Sequence, residues 1–220
     1  MLTEAELQRL VDIAIEHDLF IIADEVYREF VFEHATRSLL QFPQASDRVI
    51  VVDSVSKRFS ACGVRIGALV SRNQEIMTAA IRCGMARLSV ATIEQQAIVP
   101  VLQQASSLIP PVIAEYRKRR DVVYELLSTM PGVVTAKPEG ALYNICQLPV
   151  DSAERFVQWM IEEFEDNRET VLLAPAAGFY ATAGKGAREA RIAYVLNTED
   201  MHHALDLVRI GLERYPHRIK

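Results

Sequence analysis

The chain has 220 residues, half of them apolar and about a quarter charged, enough for one large or two modest folded domains. Its formal net charge of −5 gives no footing for nucleic acid. No apolar run reaches the ~18–20 residues that a membrane span needs, so neither nucleic acid nor membrane is an expected partner.

The N-terminus, MLTEAELQRL, is charged and amphipathic rather than signal-like. Cys62, Cys83 and Cys146 are odd in number and scattered, which favours a reducing compartment over a disulfide framework or a metal site. A soluble cytoplasmic protein is therefore expected. Thr3 and Glu6 have capping-box spacing, and the apolar positions after them predict a helix to about His17. LFIIAD, RVIVV (Arg48 to Val52) and IGALVS then read as three short buried strands. Helices are predicted over 73–86, 92–107 and 111–129, the last opening after Pro110-Pro111, where a first helical turn tolerates proline.

After Met130-Pro-Gly-Val133 the pattern alternates. Strands are expected at Ala141 to Gln147, Thr170 to Ala174 and Ala190 to Val195. Helices are expected at about Ser152 to Glu165 and Thr198 to Tyr215. The fold class that follows is α/β: a mixed, mostly parallel sheet with helices, then a small α+β unit of about 90–100 residues. The basic run Arg117 to Arg120 reads as a solvated helix face, and Cys62 as a packed thiol. His17, His34, His202, His203 and His217 have no ligand spacing.

Three features fall at predicted strand ends, where an open α/β sheet places its ligands. They are Asp24-Glu-Val-Tyr27, Ser54-Val-Ser56-Lys57 and Arg65, eight residues after the lysine. A lysine beside a buried sheet, with Arg58 and Arg65 near it in sequence, can be made nucleophilic by desolvation and cationic neighbours. Serine hydroxyls and an arginine suit a phosphate dianion. A buried carboxylate such as Asp24 can hold a heteroaromatic nitrogen protonated. An amine, an acid and a phosphate cup are the parts that pyridoxal 5'-phosphate requires.

The order D-E-V-Y, S-x-S-K and G-x-R-x-G resembles the fold-type I pyridoxal-phosphate enzymes, in particular the class I/II aminotransferases of the aspartate aminotransferase family. The resemblance covers essentially the whole chain. It implies that Lys57 forms the internal aldimine and moves the proton between substrate Cα and cofactor C4′. Asp24 would pair with the pyridine nitrogen, Tyr27 with the ring's phenolic oxygen, and Ser54 and Arg65 with the phosphate. Ser56 is a weaker candidate that shapes the turn. Arg191, in EARIAY, falls where the family keeps its substrate-carboxylate arginine; without the family, a solvent-facing strand arginine is the simpler reading. PEGALYNI and APAAGFY resemble the family's small-domain entry and substrate-side segments. The implied reaction exchanges an amino group between an amino acid, aspartate-like by its C-G-x-R-I-G context, and a 2-oxo acid, in a homodimer.

The resemblance also implies what this stretch omits. Family members carry roughly 160–180 residues before it, within the usual two-domain range. On that basis residues 1–115 are expected to be the later part of the large cofactor-binding domain and 116–220 the small domain. An uncovered sheet face and weak cofactor binding by the chain alone follow. The alternative function is a non-catalytic half that needs a complementary N-terminal segment. A third reading, Ser54-x-x-Lys57 as an acyl-enzyme serine motif, lacks the S-D-N and K-T-G elements of that class.

Overall fold

A computed structural model of the chain describes residues 2–33 and 36–219, so His34 lies outside the described residues. They divide into two units: Met1–Ile113 with Glu139–Ala141, and Ala114–Pro138 with Leu142–Lys220.

The first unit opens with α1 (Glu4–Glu16), and both arms of its capping box form: Glu6 N donates to Thr3 Oγ1, and Thr3 N to the Glu6 carboxylate. It continues through β1 (Ile21–Asp24), β2 (Val49–Ser54), the single turn α2 (Val55–Arg58) and β3 (Gly67–Ser71). α3 (Gln74–Arg87), capped by Asn73, and α4 (Thr92–Gln103) follow. β1 pairs parallel with β2, from Ile21↔Val49 to Asp24↔Val52, and β2 antiparallel with β3, from Ile50↔Ser71 to Ser54↔Gly67. The sheet is therefore mixed, in the order β1-β2-β3.

Alternation along the strands divides its faces. Ala23, Val49 and Val51 bury themselves with Leu7 and Val11 of α1 and with Leu39, Phe42 and Ala45 of the segment before β2. Each of the valine, leucine and phenylalanine side chains contributes about 1.5–3 kcal/mol when fully buried. The opposite face is uncovered: Ile22 is 73% exposed, and Val52 and its cross-strand partner Leu69 are also exposed.

α5 (Ala105–Thr129) runs from the first unit into the second, and here the structure corrects the sequence reading. The helix starts at Ala105, six residues before Pro111, so the prolines lie inside it. They withdraw two amide donors from its second turn, where the unmatched carbonyls of Ser106 and Ser107 belong to exposed residues that water can reach. No single helix among the described residues is long and apolar enough to cross a membrane; α4 and α5 meet both conditions only together, across an 81° bend.

The second unit has a four-stranded antiparallel sheet in the order β4-β5-β7-β6. Its strands are β4 (Val134–Thr135), β5 (Tyr143–Gln147), β6 (Ala174–Pro175) and β7 (Glu189–Ala193), with α6 (Ala153–Glu162) and α7 (Thr198–Arg214). β6 is shorter than the Thr170 to Ala174 strand expected. It pairs only through Ala174 and Pro175, at an edge where proline's missing amide is tolerated.

Phe156 and Met160 of α6 and Leu205, Val208 and Leu212 of α7 are buried in the core of this unit. Phe156, Trp159 and Tyr215 form a ring cluster with centroids 5.2–6.3 Å apart. Tyr215 Oη donates to Asp151 at 2.9 Å; burial first, then that carboxylate, pushes the phenol up to about 12. The run Arg117 to Arg120 is not wholly solvated. Arg120 is buried, with Nη1 donating to the Pro138 carbonyl and Nε to Asp121, so its charge is matched where it lies.

Candidate active site

Because β1 and β2 are parallel, both release the chain at the same end of the sheet. Asp24 ends β1 opposite Val52, and Ser54 ends β2 two residues further on. By alternation the three share one face, the one that α1 leaves open. Asp24 is exposed there, not buried as the sequence reading expected, because no layer within these residues covers that face. Its Oδ1 accepts the Val26 amide at 3.2 Å, and its other oxygen has no partner among the described residues.

Ser54 caps α2. Its hydroxyl accepts the Ser56 amide at 3.1 Å and lies 2.9 Å from both Ser56 Oγ and the Ile66 carbonyl. This is why a strand leaves through serines rather than glycine: the hydroxyl satisfies an amide that the helix start would orphan. Gly67 pairs with Ser54, and a Cβ there would lie 3.0 Å from the Asp53 carbonyl, so the close approach asks for glycine.

Lys57 projects from this turn, half-buried, with Nζ 6.0 Å from the centroid of the Tyr27 ring. The amine has no hydrogen-bonding or ionic partner among the described residues. Tyr27 belongs to a tight turn after β1, closed by Arg28 N to Glu25 O and Phe30 N to Tyr27 O, and its ring meets Phe30 edge-on at 6.3 Å. Arg65 is exposed in left-handed backbone (φ 56°), where Nη1 donates to the Cys62 carbonyl at 2.8 Å. Its other guanidinium nitrogens have no partner among the described residues. Cys62 is exposed rather than packed.

Arg58 is not the free cationic neighbour that its place in the sequence suggests. Its Nη2 lies 2.7 Å from Asp53 Oδ2 and its Nε 3.0 Å from Glu29 Oε2, so two carboxylates take up its charge. Arg28 bridges Glu29 and Glu25 at 3.3 and 3.0 Å. Burial disfavours the Arg28 cation, but the two glutamates outweigh it and hold the group above its ordinary value. The sequence reading missed Glu29 and Asp53; the D-E-V-Y-R-E run signals acids near the lysine only once the turn's geometry is known.

Within the second unit, Arg191 lies half-buried on β7 between two rings, 5.0 Å from the Phe179 centroid and 5.6 Å from that of Tyr143. The rings confine the guanidinium and limit its hydration. A cleft of about 400 Å³ beside it is lined by Leu173, Ala174, Ile192, Leu205 and Val208.

Residues 1–208 match the family described as aminotransferase class I and II. The chain belongs to that family. An aspartate aminotransferase of Pyrococcus horikoshii is 29% identical over 210 residues, covering 93% of this chain and 51% of that protein. Aromatic-amino-acid aminotransferase 2 of Thermococcus litoralis is 30% identical over 212 residues, 94% of this chain and 52% of that protein. The crystal structure of an aromatic aminotransferase from P. horikoshii superposes with a TM-score of 0.84 at 27% identity, covering 97% of this chain and 56% of that one. The chain thus spans about half the length of the curated relatives it matches, and its mixed α/β fold is the aminotransferase fold.

Pyridoxal phosphate is the cofactor of this family. The donor set of the first unit suits it. A primary amine and a carboxylate oxygen are both without partners among the described residues; a serine hydroxyl caps the lysine's turn, and Arg65 offers guanidinium nitrogens from the turn that leads into β3.

Proposed function

We propose that the chain carries the lysine half of a pyridoxal-phosphate aminotransferase site, exchanging an amino group between an amino acid, aspartate-like by its C-G-x-R-I-G context, and a 2-oxo acid. The observation that carries this reading is the Lys57 amine, without a partner, 6.0 Å from the Tyr27 ring and beside the strand ends that hold Asp24 and Ser54. When bound, the cofactor supplies an electron sink for the negative charge that develops at substrate Cα.

The residues then divide the work. Lys57 attaches the cofactor through Nζ and, once released, carries the proton to and from substrate Cα. Asp24 keeps the ring nitrogen protonated through the oxygen that Val26 does not use. Tyr27 donates to the ring's phenolic oxygen. Ser54 and Arg65 hold the phosphate, exchanging contacts to the Ile66 and Cys62 carbonyls for an anion that binds them more strongly. Arg191 takes the substrate carboxylate in bidentate fashion, which serves an amino acid and its 2-oxo acid alike.

On this reading residues 1–115 are the later part of the cofactor-binding domain, residues 116–220 are the small domain, and the assembly is a homodimer in the cytoplasm. A second reading is favoured by the uncovered sheet face, where Ile22 is 73% exposed and Val52 and Leu69 are exposed with it. There the chain is a non-catalytic half whose residues act only beside a complementary N-terminal segment.

Amino-group exchange separates the two. ¹⁵N passing from labelled aspartate to a 2-oxo acid with the chain and cofactor alone supports the first. Exchange that begins only after adding the N-terminal half of a relative supports the second. No exchange in either condition contradicts both.

A further inference from the structure

An unbroken line of alternating charge runs through the first unit, and it joins the two turns on which the site depends. Asp53 accepts the Ser54 amide at 2.7 Å, fixing the start of α2, and its other oxygen holds Arg58. Arg58 reaches Glu29, Glu29 meets Arg28, and Arg28 meets Glu25. Glu25 ends the line by accepting Ser38 Oγ at 2.9 Å and the amide of buried Leu39 at 3.0 Å. Lys57 precedes Arg58 on one turn, and Tyr27 lies between Glu25 and Glu29 on the other.

The central members are well removed from water: side-chain exposure is 11% for Arg58, 19% for Asp53 and 21% for Glu29. At that depth desolvation cancels much of the Coulomb attraction, so such a line adds little net stability over packed apolar residues. Nε of Arg58 and Oε2 of Glu29 are buried and 3.0 Å apart, yet misaligned for a hydrogen bond, so charge alone ties them. What the line does supply is register. A turn of four residues has no helical cooperativity to fix its direction, and the tie to Glu29 sets where it points.

We propose that Arg58 and Glu29 are positioning residues whose ion pair locks the lysine turn to the tyrosine turn, keeping Lys57 Nζ over the face of Tyr27. This rests on the reading of Lys57 as the reactive amine. Lys57 then approaches the cofactor from one direction, and misplacement of a reacting group by about 1 Å costs up to roughly a hundredfold in rate.

Two readouts test it. The first needs no cofactor: carbon–proton spectra of the chain labelled in lysine, with the Lys57 signal assigned by Lys57→Arg. In the unsubstituted chain the Tyr27 ring shifts the Lys57 ε-methylene protons away from the common lysine position. Glu29→Gln and Arg58→Met are expected to return that signal to the common position while circular dichroism stays unchanged, and Arg58→Lys to restore part of the shift. An unmoved signal in folded Glu29→Gln and Arg58→Met overturns the proposal. Loss of fold in both variants makes the pair merely structural and overturns it equally.

The second readout adds pyridoxal phosphate and borohydride. Label on Lys57 is expected to fall roughly ten- to a hundredfold in Glu29→Gln and Arg58→Met, and undiminished label in both contradicts the positioning role. If the unsubstituted chain takes no label, the functional reading fails, while the spectra still decide whether the ion pair orients Lys57.

Discussion

Lys57→Ala is expected to remove amino-group exchange under whichever condition the unsubstituted chain shows it, a loss of at least about 10²–10⁴-fold from its proton-transfer role alone. Added methylamine would return a small part of that rate by replacing the missing base, whereas Lys57→Arg would return none. Arginine stays protonated at any working pH and can neither attach the cofactor nor accept a proton. The folded content by circular dichroism should match the parent, because the Lys57 amine has no partner to lose among the described residues. Exchange within tenfold of the parent would show that another amine does the chemistry.

The largest stability effect is expected at Phe156→Ala. Phe156 is wholly buried on α6 and packs against Trp159 and Tyr215, so truncation leaves a cavity in the core of the second unit. The cost is about 3–5 kcal/mol, the range for removing a buried phenylalanine. Trp159 is the chain's single tryptophan, so its fluorescence during urea unfolding reports this unit directly. A midpoint shift worth less than about 1 kcal/mol would mean that the cluster closes over the gap. Glycine in α7 completes the fit: an added Cβ at Gly211 would lie 2.4 Å from Met160 Sδ.

What could be read from the sequence was local. Short apolar runs placed β1, β2 and β3 within a few residues, and the polar turn after β2 marked Ser54 and Lys57, because capping and strand signals act over three or four positions. What could not be read depended on contacts far along the chain. Arg58 meets Glu29 across 29 positions, so its neutralisation was invisible, and it looked like a spare cation beside the lysine. Arg120 looked solvated until the Pro138 carbonyl was found against it. Asp24 was expected to be buried because an apolar strand ends in it, but which sheet face is covered depends on what packs there, and only α1's side is. Pro110 and Pro111 signal a helix start, yet the exposed turn at Ala105 absorbs the two missing bonds.

The central claim is that Lys57, among the chain's five lysines, is the amine that takes pyridoxal phosphate. The direct measurement is peptide mass mapping after incubating the chain with the cofactor and reducing with borohydride, with and without the N-terminal half of a relative. A phosphopyridoxyl group concentrated on the peptide holding Lys57, and absent from Lys57→Ala, is the predicted result. Label spread over Lys118, Lys137, Lys185 and Lys220, with none on Lys57 in either condition, would contradict the account.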